Sequence, residues 1–426
     1  MAGIPNLAPQ RTGIFTQVLK VTPTVLVAQL GARRLYAVPW ILEQAGMLDA
    51  LYTDLYLGSF AKAALDLAPA MLGFGPVTGL QGRSSPGVPS TKVTSFPLLA
   101  ATYVIRRGLC PGNALQTYIA AGQEFCRSVV RRGWGGASGV YAFNTAGLEL
   151  LRAARQDGLR AVIDQTIAPK RVEERLLSLE RSNWPDWERT SGTERCLGAY
   201  VDREEAEWTL SDCIVCGSEF VREGIRECGG PVAKCHVAGS GVDLPITVRA
   251  GRERDRGSLR VLTVGEVGLR KGSPYVLKAA GALRGLCVFR MVGPIRAPAS
   301  VLNRAPCNVE ILGPVPRSKL AEHYQWGDVF FLPTICEGAA ISCYEALSFG
   351  LPVVCTYNAG ISIIDSEEGY LLPAGDLHGF IKRLANLAVS QDLLSRLSLG
   401  ASHAARRFSL AQYGRRLVLA IRSLFA

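Results

Sequence analysis

A chain of 426 residues, 48% of them hydrophobic and 19% charged, has the composition of a globular protein, which excludes an intrinsically disordered chain. At about 150 residues per domain, the length predicts two or three domains. The net charge of +11 fits either an anionic partner or an ordinary solvated surface, because no dense block of Lys and Arg favours one of them.

The twelve cysteines are scattered through apolar segments, a pattern typical of reduced, buried side chains in a cytosolic protein. A zinc or redox site at Cys213 and Cys216 is disfavoured, because no second pair and no spaced histidines accompany them. We find no signal-type apolar core and no apolar run of about 20 residues that would span a membrane. We therefore expect a cytoplasmic protein, either free or peripheral to the inner face of the plasma membrane.

The first half of the chain begins as a doubly wound domain begins. A short buried strand over residues 24–30 is followed directly by Gly31 and then by helical spacing from residue 36. Arg33 and Arg34 lie in that first turn, and two alternatives stay open for them: contact with an anionic ligand, or solvation.

Residues 57–105 are irregular and rich in Ala, Leu, Gly and Pro. Amphipathic helices here would form an acceptor groove, lie on a bilayer or, as we favour, pack on a sheet. Regular spacing resumes with strands over residues 139–143 and 160–164. Asp164 and Gln165 end the second of these strands, so we expect them at the carboxyl edge of a sheet, where polar residues line a cleft.

An Arg-rich, polar passage at residues 249–257 is the best candidate for a linker. A second series of strands and helices follows it, starting with a strand over residues 259–265. Two such series predict two Rossmann-like domains of α/β class that face each other across a cleft. We place the first domain at residues 1–255 and the second at 256–405, with a last helix at 406–426 that could cross back to the first domain.

The most informative stretch of the second series is residues 328–354. An apolar strand ends at Pro333, a loop carries Glu337 and Gly338, an Ala-rich helix contains Glu345, and a second β-branched strand follows. This order places Glu337 at the carboxyl edge of a parallel sheet, where ligands of such folds bind. Glu345 taken alone fits a solvated helix face equally well.

The chemistry of this edge points to a nucleotide sugar. The loop over residues 265–272 has three glycines with Arg270 and Lys271, and glycines, basic side chains and helix N-termini together form a cradle for a diphosphate. Carboxylates repel phosphate but accept hydrogen bonds from hydroxyl groups. Glu337 and Glu345 would therefore face the hydroxyls on the two sides of the diphosphate.

The spacing Glu337-x7-Glu345, followed by Ala-Leu-Ser-Phe-Gly-Leu-Pro, resembles the signature of the retaining glycosyltransferases of family four, which have the GT-B fold. Further matches are residues 218–220, 241–243, 264–272 and 358–360. Similarity at the level of motifs covers about residues 205–376, while the first 200 residues share the architecture more than the motifs.

The resemblance implies a role for each site residue. Glu337 would hold sugar hydroxyls and Glu345 the ribose hydroxyls, while Arg270 and Lys271 bind the diphosphate. Gly31, Asp164 and Gln165 would lie on the acceptor side. The donor site would also include the backbone of Gly265, Gly338, Ala339, Ala340 and Ile341.

Family members transfer the sugar with retention, generally with neither metal nor cofactor, because basic groups stabilise the leaving diphosphate. The nucleotide-diphosphate sugar is a co-substrate. The commonly proposed front-face mechanism needs no protein base, because a donor phosphate oxygen takes the proton of the acceptor.

The sequence departs from the family pattern in two places. Glu266 stands where an arginine usually follows the first glycine of the second domain, and the histidine that many members place in the first domain is not evident. These departures indicate either an unusual acceptor or a site that has lost activity.

We therefore expect a hexosyltransferase-type glycosyltransferase with a saccharide, glycolipid or glycoconjugate acceptor, and an anionic membrane surface as a further partner. We also expect Glu337 to be an exposed loop carboxylate with little effect on stability. The main alternative is a non-catalytic protein that binds nucleotide sugars. A Rossmann oxidoreductase is disfavoured, because neither first turn reads G-x-G-x-x-G, and a nucleic-acid binder would rest on charge alone.

Overall fold

A computed structural model describes residues 22–57, 83–85, 87–109, 113–188, 196–248 and 257–425 of the chain. The linker predicted at residues 249–257 lies almost wholly outside this part, as does much of the irregular segment predicted at residues 57–105. Among the helices that are described, none is both long enough and apolar enough to cross a bilayer.

The first half of the described chain forms a parallel sheet of seven strands. Their spatial order is β3-β2-β1-β4-β5-β6-β7, so the chain starts in the middle of the sheet and builds outward to both sides. The strand bounds are Val25–Gln29 (β1), Leu48–Thr53 (β2), Val93–Ser95 (β3), Gly139–Phe143 (β4), Arg160–Gln165 (β5), Cys213–Cys216 (β6) and Cys235–Val237 (β7).

The second half forms a parallel sheet of six strands in the order β10-β9-β8-β11-β12-β13. Two doubly wound sheets confirm the predicted fold class of two Rossmann-like units. The strand bounds are Leu259–Val264 (β8), Cys287–Val292 (β9), Val309–Gly313 (β10), Val329–Leu332 (β11), Val353–Thr356 (β12) and Gly369–Leu372 (β13).

Helices cover both faces of each sheet, as parallel sheets require, because their strands are apolar on both sides. In the first half they are Ala37–Gln44 (α1), Pro97–Leu109 (α2), Ala114–Arg132 (α3), Leu148–Gln156 (α4), Lys170–Asn183 (α5), Leu197–Leu210 (α6) and Glu219–Glu227 (α7). In the second half they are Ser273–Ala282 (α8), Ala299–Leu302 (α9), Leu320–Trp326 (α10), Ile341–Ser348 (α11), Leu377–Val389 (α12), Gln391–Ala405 (α13) and Leu410–Arg422 (α14).

The central strands are buried on both faces and consist mainly of apolar residues. All five residues of β1 and all five of β4 are buried, and so are all four of β11. Cys213 and Cys216 are buried in β6, which agrees with their prediction as core side chains. Because parallel strands end at one edge, the loops after β1, β4 and β5 lie side by side.

Helix α14 returns to the first sheet after the second sheet is complete. Val242 and Ser409 form a parallel bridge where the two chain segments meet, and the amide of Val242 donates to the carbonyl of Phe408 at 3.0 Å. Beyond this point Tyr413, Leu417 and Ile421 join the core beneath β1 and α1. The end of the described chain therefore ties the two sheets together.

Candidate functional site

The loop that leaves β11 carries the predicted donor residues. It runs from Pro333 to Ala340, and α11 begins at Ile341. The hydroxyl of Thr356 donates to the carbonyl of Thr334 at 2.7 Å. The side-chain amide of Asn358 donates to the carbonyl of Ile335, also at 2.7 Å. These bonds from β12 and the turn after it fix the loop at the carboxyl edge of the second sheet.

Glu337 lies between the two basic residues of the loop after β8. Its Oε1 atom is 2.6 Å from Arg270 Nη1 and 2.6 Å from Lys271 Nζ. Burial alone would lower the pKa of the Arg270 guanidinium, but the carboxylate of Glu337 outweighs that effect and the pKa is raised. Three residues singled out from distant positions thus form one charged cluster, with one carboxylate and two cations.

The prediction that Glu337 is an exposed loop carboxylate is wrong, since only 8% of the residue is exposed. Two loops converge on it and exclude most of the solvent. The carbonyl of Arg270 accepts hydrogen bonds from the amide of Ile335 at 2.8 Å and from the hydroxyl of Thr334 at 3.0 Å. The backbone of the donor loop therefore holds Arg270 against Glu337.

Two glycines make this approach feasible. Gly265 has φ +154°, and the aliphatic stem of Lys271 packs against it. A Cβ on Gly265 would lie only 3.3 Å from Lys271 Cε. Gly272 has φ +70°, and a Cβ there would overlap the carbonyl of Pro333. Both positions require glycine because the basic loop packs directly on its neighbours.

Glu345 lies in the second turn of α11 and is only 5% exposed, so its alternative interpretation as a solvated helix residue is wrong. Its carboxylate accepts a hydrogen bond from the hydroxyl of Tyr324 at 2.7 Å and pairs with Arg317 at 2.9 Å. Tyr324 is buried and stacks on Phe349. Arg317 was missed by the sequence analysis, because its position after β10 matches no motif.

The backbone amides at the start of α11 differ in whether they have a hydrogen-bond acceptor. The amide of Ala340 already donates to the carbonyl of Ala359 at 2.9 Å. Among the described residues, we find no acceptor for the amides of Gly338, Ala339 and Ile341. No side chain caps this helix and no acidic residue lies in its first turn, so its N-terminus keeps its positive potential.

Glu266, which stands where the family has arginine, points away from this cluster. Its carboxylate pairs with Arg296 at 3.2 Å in an exposed position. Arg270 and Lys271 supply the positive charge next to Glu337 in its place. The first departure from the family pattern therefore does not leave the cluster without cations.

The donor loop also touches the first half of the chain. A Cβ on Gly338 would overlap the carbonyl of Thr166, which follows β5. The hydroxyl of Ser218 donates to the carbonyl of Gly338 at 2.5 Å and accepts from the amide of Val221, so it also caps α7. The loops at the carboxyl edges of both sheets therefore meet at the backbone of Gly338.

On the predicted acceptor side, Gly31 lies two residues after β1 with φ +83°, and its amide donates to Asp54 at 2.9 Å. Asp164 is fully buried and forms a two-pronged pair with Arg34, with distances of 3.0 and 3.1 Å. The hydroxyl of Tyr141 donates to the same carboxylate at 2.7 Å. Solvation of Arg34, one of its two predicted alternatives, is therefore wrong.

Arg34 belongs to an unusual piece of backbone. Arg34, Leu35 and Tyr36 have φ values of 48°, 52° and 61°, and three consecutive side-chain-bearing residues in the left-handed region are rare. The pair with Asp164 and the ring of Tyr413, 5.4 Å from the guanidinium, hold this turn in place. Strained backbone that neighbours over-determine is typical of functional sites.

Gln165 is also fully buried, and helix α6 holds it. Its amide donates to Glu204 at 2.7 Å, and its carbonyl accepts from Trp208 at 2.8 Å. Glu204 also accepts from the backbone amide of Lys170, and burial raises its pKa to about 7. Glu207 binds the backbone of Thr145 and Gly147 in the same way. The sequence analysis missed both glutamates, because a charge on a predicted helix is usually solvated.

A cavity of about 340 Å³ opens between the two halves. Arg317 and Ile341 line it from the second half. Arg34 lines it from the turn after β1, Trp40 from α1 and Tyr413 from α14. A larger cavity of about 580 Å³ lies beside Trp184 and contains none of the predicted site residues. The smaller cavity is therefore the candidate cleft.

Comparison with known proteins adds a family for the second sheet. Residues 258–389 match the family model described as Glycosyl transferases group 1. The D-inositol 3-phosphate glycosyltransferase of Xylanimonas cellulosilytica is 26% identical over 230 residues, which are 48% of this chain and 55% of that protein. The amylovoran biosynthesis glycosyltransferase AmsK of Erwinia amylovora is 24% identical over 177 residues, 38% and 43% of the two chains. The chain thus spans about half the length of the curated relatives it matches.

Solved structures are similar over nearly the whole chain. The sucrose-phosphate synthase from Thermosynechococcus elongatus has a TM-score of 0.63 at 14% identity and covers 95% of this chain and 99% of its own. Anabaena HepE in complex with UDP and glucose has a TM-score of 0.58 at 11% identity, with coverages of 94% and 100%. At such low identity the likeness concerns the fold alone, and it confirms the predicted GT-B fold.

Proposed function

We propose that this chain, whose residues 258–389 match the family model Glycosyl transferases group 1, transfers a sugar from a nucleotide-diphosphate sugar to an acceptor with retention at the anomeric carbon. The observation that carries the proposal is the cluster of Glu337, Arg270 and Lys271 at the carboxyl edge of the second sheet. It combines an acceptor for sugar hydroxyls with two cations for a diphosphate.

The charges of the cluster suit both the leaving diphosphate and the sugar that is transferred. Two cations and the open amides at the start of α11 stabilise the negative charge that develops on the leaving diphosphate. Glu337 accepts hydrogen bonds from the sugar, which fixes the anomeric carbon relative to that leaving group. Glu345, held by Tyr324, accepts from the ribose. The proposed reaction requires neither a metal nor another cofactor.

Retention follows in this proposal from attack on the same face that the leaving group occupies. A donor phosphate oxygen removes the proton of the acceptor hydroxyl, so no protein base takes part. The state of Asp164 supports this course, since Arg34 and Tyr141 already occupy its carboxylate. The acceptor, a saccharide or a glycolipid, enters from the side of Gly31, next to the loops that carry Asp164 and Gln165.

Helix α2 supports the further proposal that the enzyme works at the inner face of the plasma membrane. Leu98, Val104 and Leu109 are 83%, 67% and 76% exposed, and Arg106 and Arg107 lie in the last turn. Exposed aliphatic side chains with arginines beside them fit the surface of an anionic bilayer. Sedimentation with phosphatidylglycerol vesicles tests this partner, and Leu98→Glu with Leu109→Glu should abolish it.

A thermal-shift panel of nucleotide-diphosphate sugars tests the donor site. A ligand at 100 times its dissociation constant stabilises the folded protein by about 2.7 kcal/mol, so the correct donor raises Tm measurably. No shift with any nucleotide sugar would contradict the proposal. A shift without turnover, measured with the same donor and a panel of acceptors, would favour the non-catalytic binding protein instead.

A further inference from the structure

Arg33 differs from the other partly buried cations around it. Arg34 pairs with Asp164 at 3.0 Å, and Arg83 pairs with Asp54 at 2.7 Å. Among the described residues, no carboxylate lies within ion-pair distance of Arg33. A partly buried guanidinium without a paired anion loses hydration that a neutral hydrogen bond replaces only in part.

Tyr118 contacts the guanidinium of Arg33. Its hydroxyl accepts a hydrogen bond from the guanidinium, and its ring centroid lies 5.8 Å away. Tyr118 is the main cause of the raised pKa of Arg33, and Tyr200 and Asp164 contribute. The carboxylate of Asp164 is already paired with Arg34. Among the described residues, the direct partner of Arg33 is therefore a neutral hydroxyl and not a carboxylate.

Two helices, α3 and α6, carry Tyr118 and Tyr200, and the positive potential at their N-termini is not compensated by a cap or an acidic residue. Helix α3 starts four residues before Tyr118, and α6 starts three residues before Tyr200. The preceding residues, Asn113 and Cys196, form no side-chain cap, and neither helix has an acidic residue in its first turn. By contrast, α4 and α5 carry Glu149 and Glu173 there. The positive helix ends add to the charge of Arg33.

We propose that Arg33 and Tyr118 bind an anionic group of the acceptor, a phosphate or a carboxylate. This inference rests on the proposed function, because it assigns the group to the second substrate. Arg33 follows Gly31 by two residues at the carboxyl end of β1, and a hydrogen bond from Gln29 to its carbonyl at 3.2 Å fixes the loop. An acceptor anchored here presents a hydroxyl to the cleft from the first domain.

The donor diphosphate is not the expected occupant of this site, because Arg270 and Lys271 lie in the second domain beside Glu337. The separation of the two cationic sites allows a test with opposite outcomes for two variants. Arg33→Gln should weaken binding of a phosphorylated acceptor alone. Arg270→Gln should weaken binding of a nucleoside diphosphate alone.

Calorimetric titration of the full chain with glucose 6-phosphate, glucose, dihexanoyl phosphatidylglycerol and UDP performs this test. We expect glucose 6-phosphate or the lipid to bind the wild type, and Arg33→Gln to reduce that affinity by about tenfold or more, as for the loss of a charged hydrogen bond. The stronger of the two phosphates identifies a soluble or a lipid acceptor. Glucose should bind far more weakly.

Arg152→Gln is the matched control, because Arg152 is an exposed arginine of the same domain and should leave all affinities unchanged. Arg33→Lys keeps the charge and should retain part of the affinity, which separates a loss of charge from a loss of fold. Equal phosphate affinity in the wild type and Arg33→Gln, or no binding of either phosphate, overturns the acceptor site. Retained UDP binding in that case leaves the proposed function standing.

Discussion

The carboxyl edges of the two sheets, here called the two walls, each carry an ion pair of arginine and carboxylate, and the two pairs differ in their exposure. In the second domain Glu337 pairs with Arg270 and Lys271, whose side chains are 25% and 12% exposed. In the first domain Arg34 and Asp164 are 9% and 0% exposed, and Tyr141 also donates to the carboxylate. Solvent therefore reaches the cations of the first pair, whereas the carboxylate of Asp164 is closed off from it.

The difference shows that an ion pair at the edge of a sheet is not by itself a binding site. A buried pair repays its desolvation only with good geometry and extra hydrogen bonds, so it serves to fix the backbone. A pair that is partly exposed can exchange one of its partners for an ion from solution. On the proposed function, the wall with Glu337 would exchange partners with the donor, while the wall with Asp164 would serve as a rigid support.

The largest effect on stability should come from Asp164→Asn. This change leaves the guanidinium of Arg34 buried without a counter-charge, so we expect a loss of about 3–5 kcal/mol in the free energy of unfolding. Chemical denaturation measures it. Asp186→Asn is the control, because Asp186 and Arg304 form a highly exposed pair at 3.9 Å and should contribute nothing measurable. Equal effects of the two variants would remove the contrast between the walls.

Glu337→Gln should lower transfer by roughly 10²–10³-fold, because the sugar loses a preorganised charged acceptor. It also leaves Arg270 and Lys271 without a carboxylate, so Tm should fall in the free protein and recover when a nucleoside diphosphate supplies the missing anion. Turnover assays and thermal shifts on the same preparation measure both effects. Normal turnover would be incompatible with the assignment of the donor site.

Glu204→Gln should flatten the dependence of stability on pH. Burial raises the pKa of Glu204 from 4.5 to about 7, so the folded protein keeps a proton that the unfolded chain releases. This contribution, about 3 kcal/mol, is complete below pH 4.5 and is lost as the pH rises through 7. Tm values from pH 4 to 8 should fall less steeply in the variant. Parallel curves would mean that Glu204 is ionised throughout.

Ser218→Ala should have the smallest effect on stability and still report on the contact between the walls. It removes a helix cap worth about 1 kcal/mol and the hydrogen bond to Gly338. Ser390→Ala removes an equivalent cap at 3.3 Å from α13, within the second domain. We expect similar losses of stability and reduced transfer in Ser218→Ala alone. Equal transfer rates would show that the Gly338 contact does not serve the reaction.

The local sequence pattern was sufficient to predict the second domain's site segment, which consists of one strand, one loop and one helix that follow each other in the chain. The order of Pro333, Glu337 and Glu345 predicted the loop after β11 and the helix α11, because apolar strands and helix-forming residues alternate there without ambiguity. The glycines and basic residues after β8 predicted a second loop at the same edge. Parallel strand order then required the two loops to meet, and the structure joins them through Glu337.

The side-chain contacts of the first domain could not be predicted in the same way, because they join residues that are far apart in the chain. Arg34 and Asp164 are 130 positions apart, and Glu204 reaches Gln165 from a helix that reads as ordinary and amphipathic. Sequence alone determined the two-sheet fold and the loop that carries Glu337, since these depend on neighbours in the chain. Only tertiary structure decided which charges are buried in pairs and which, like Arg33, have no paired carboxylate in the described part of the chain, because burial depends on the packing of distant elements.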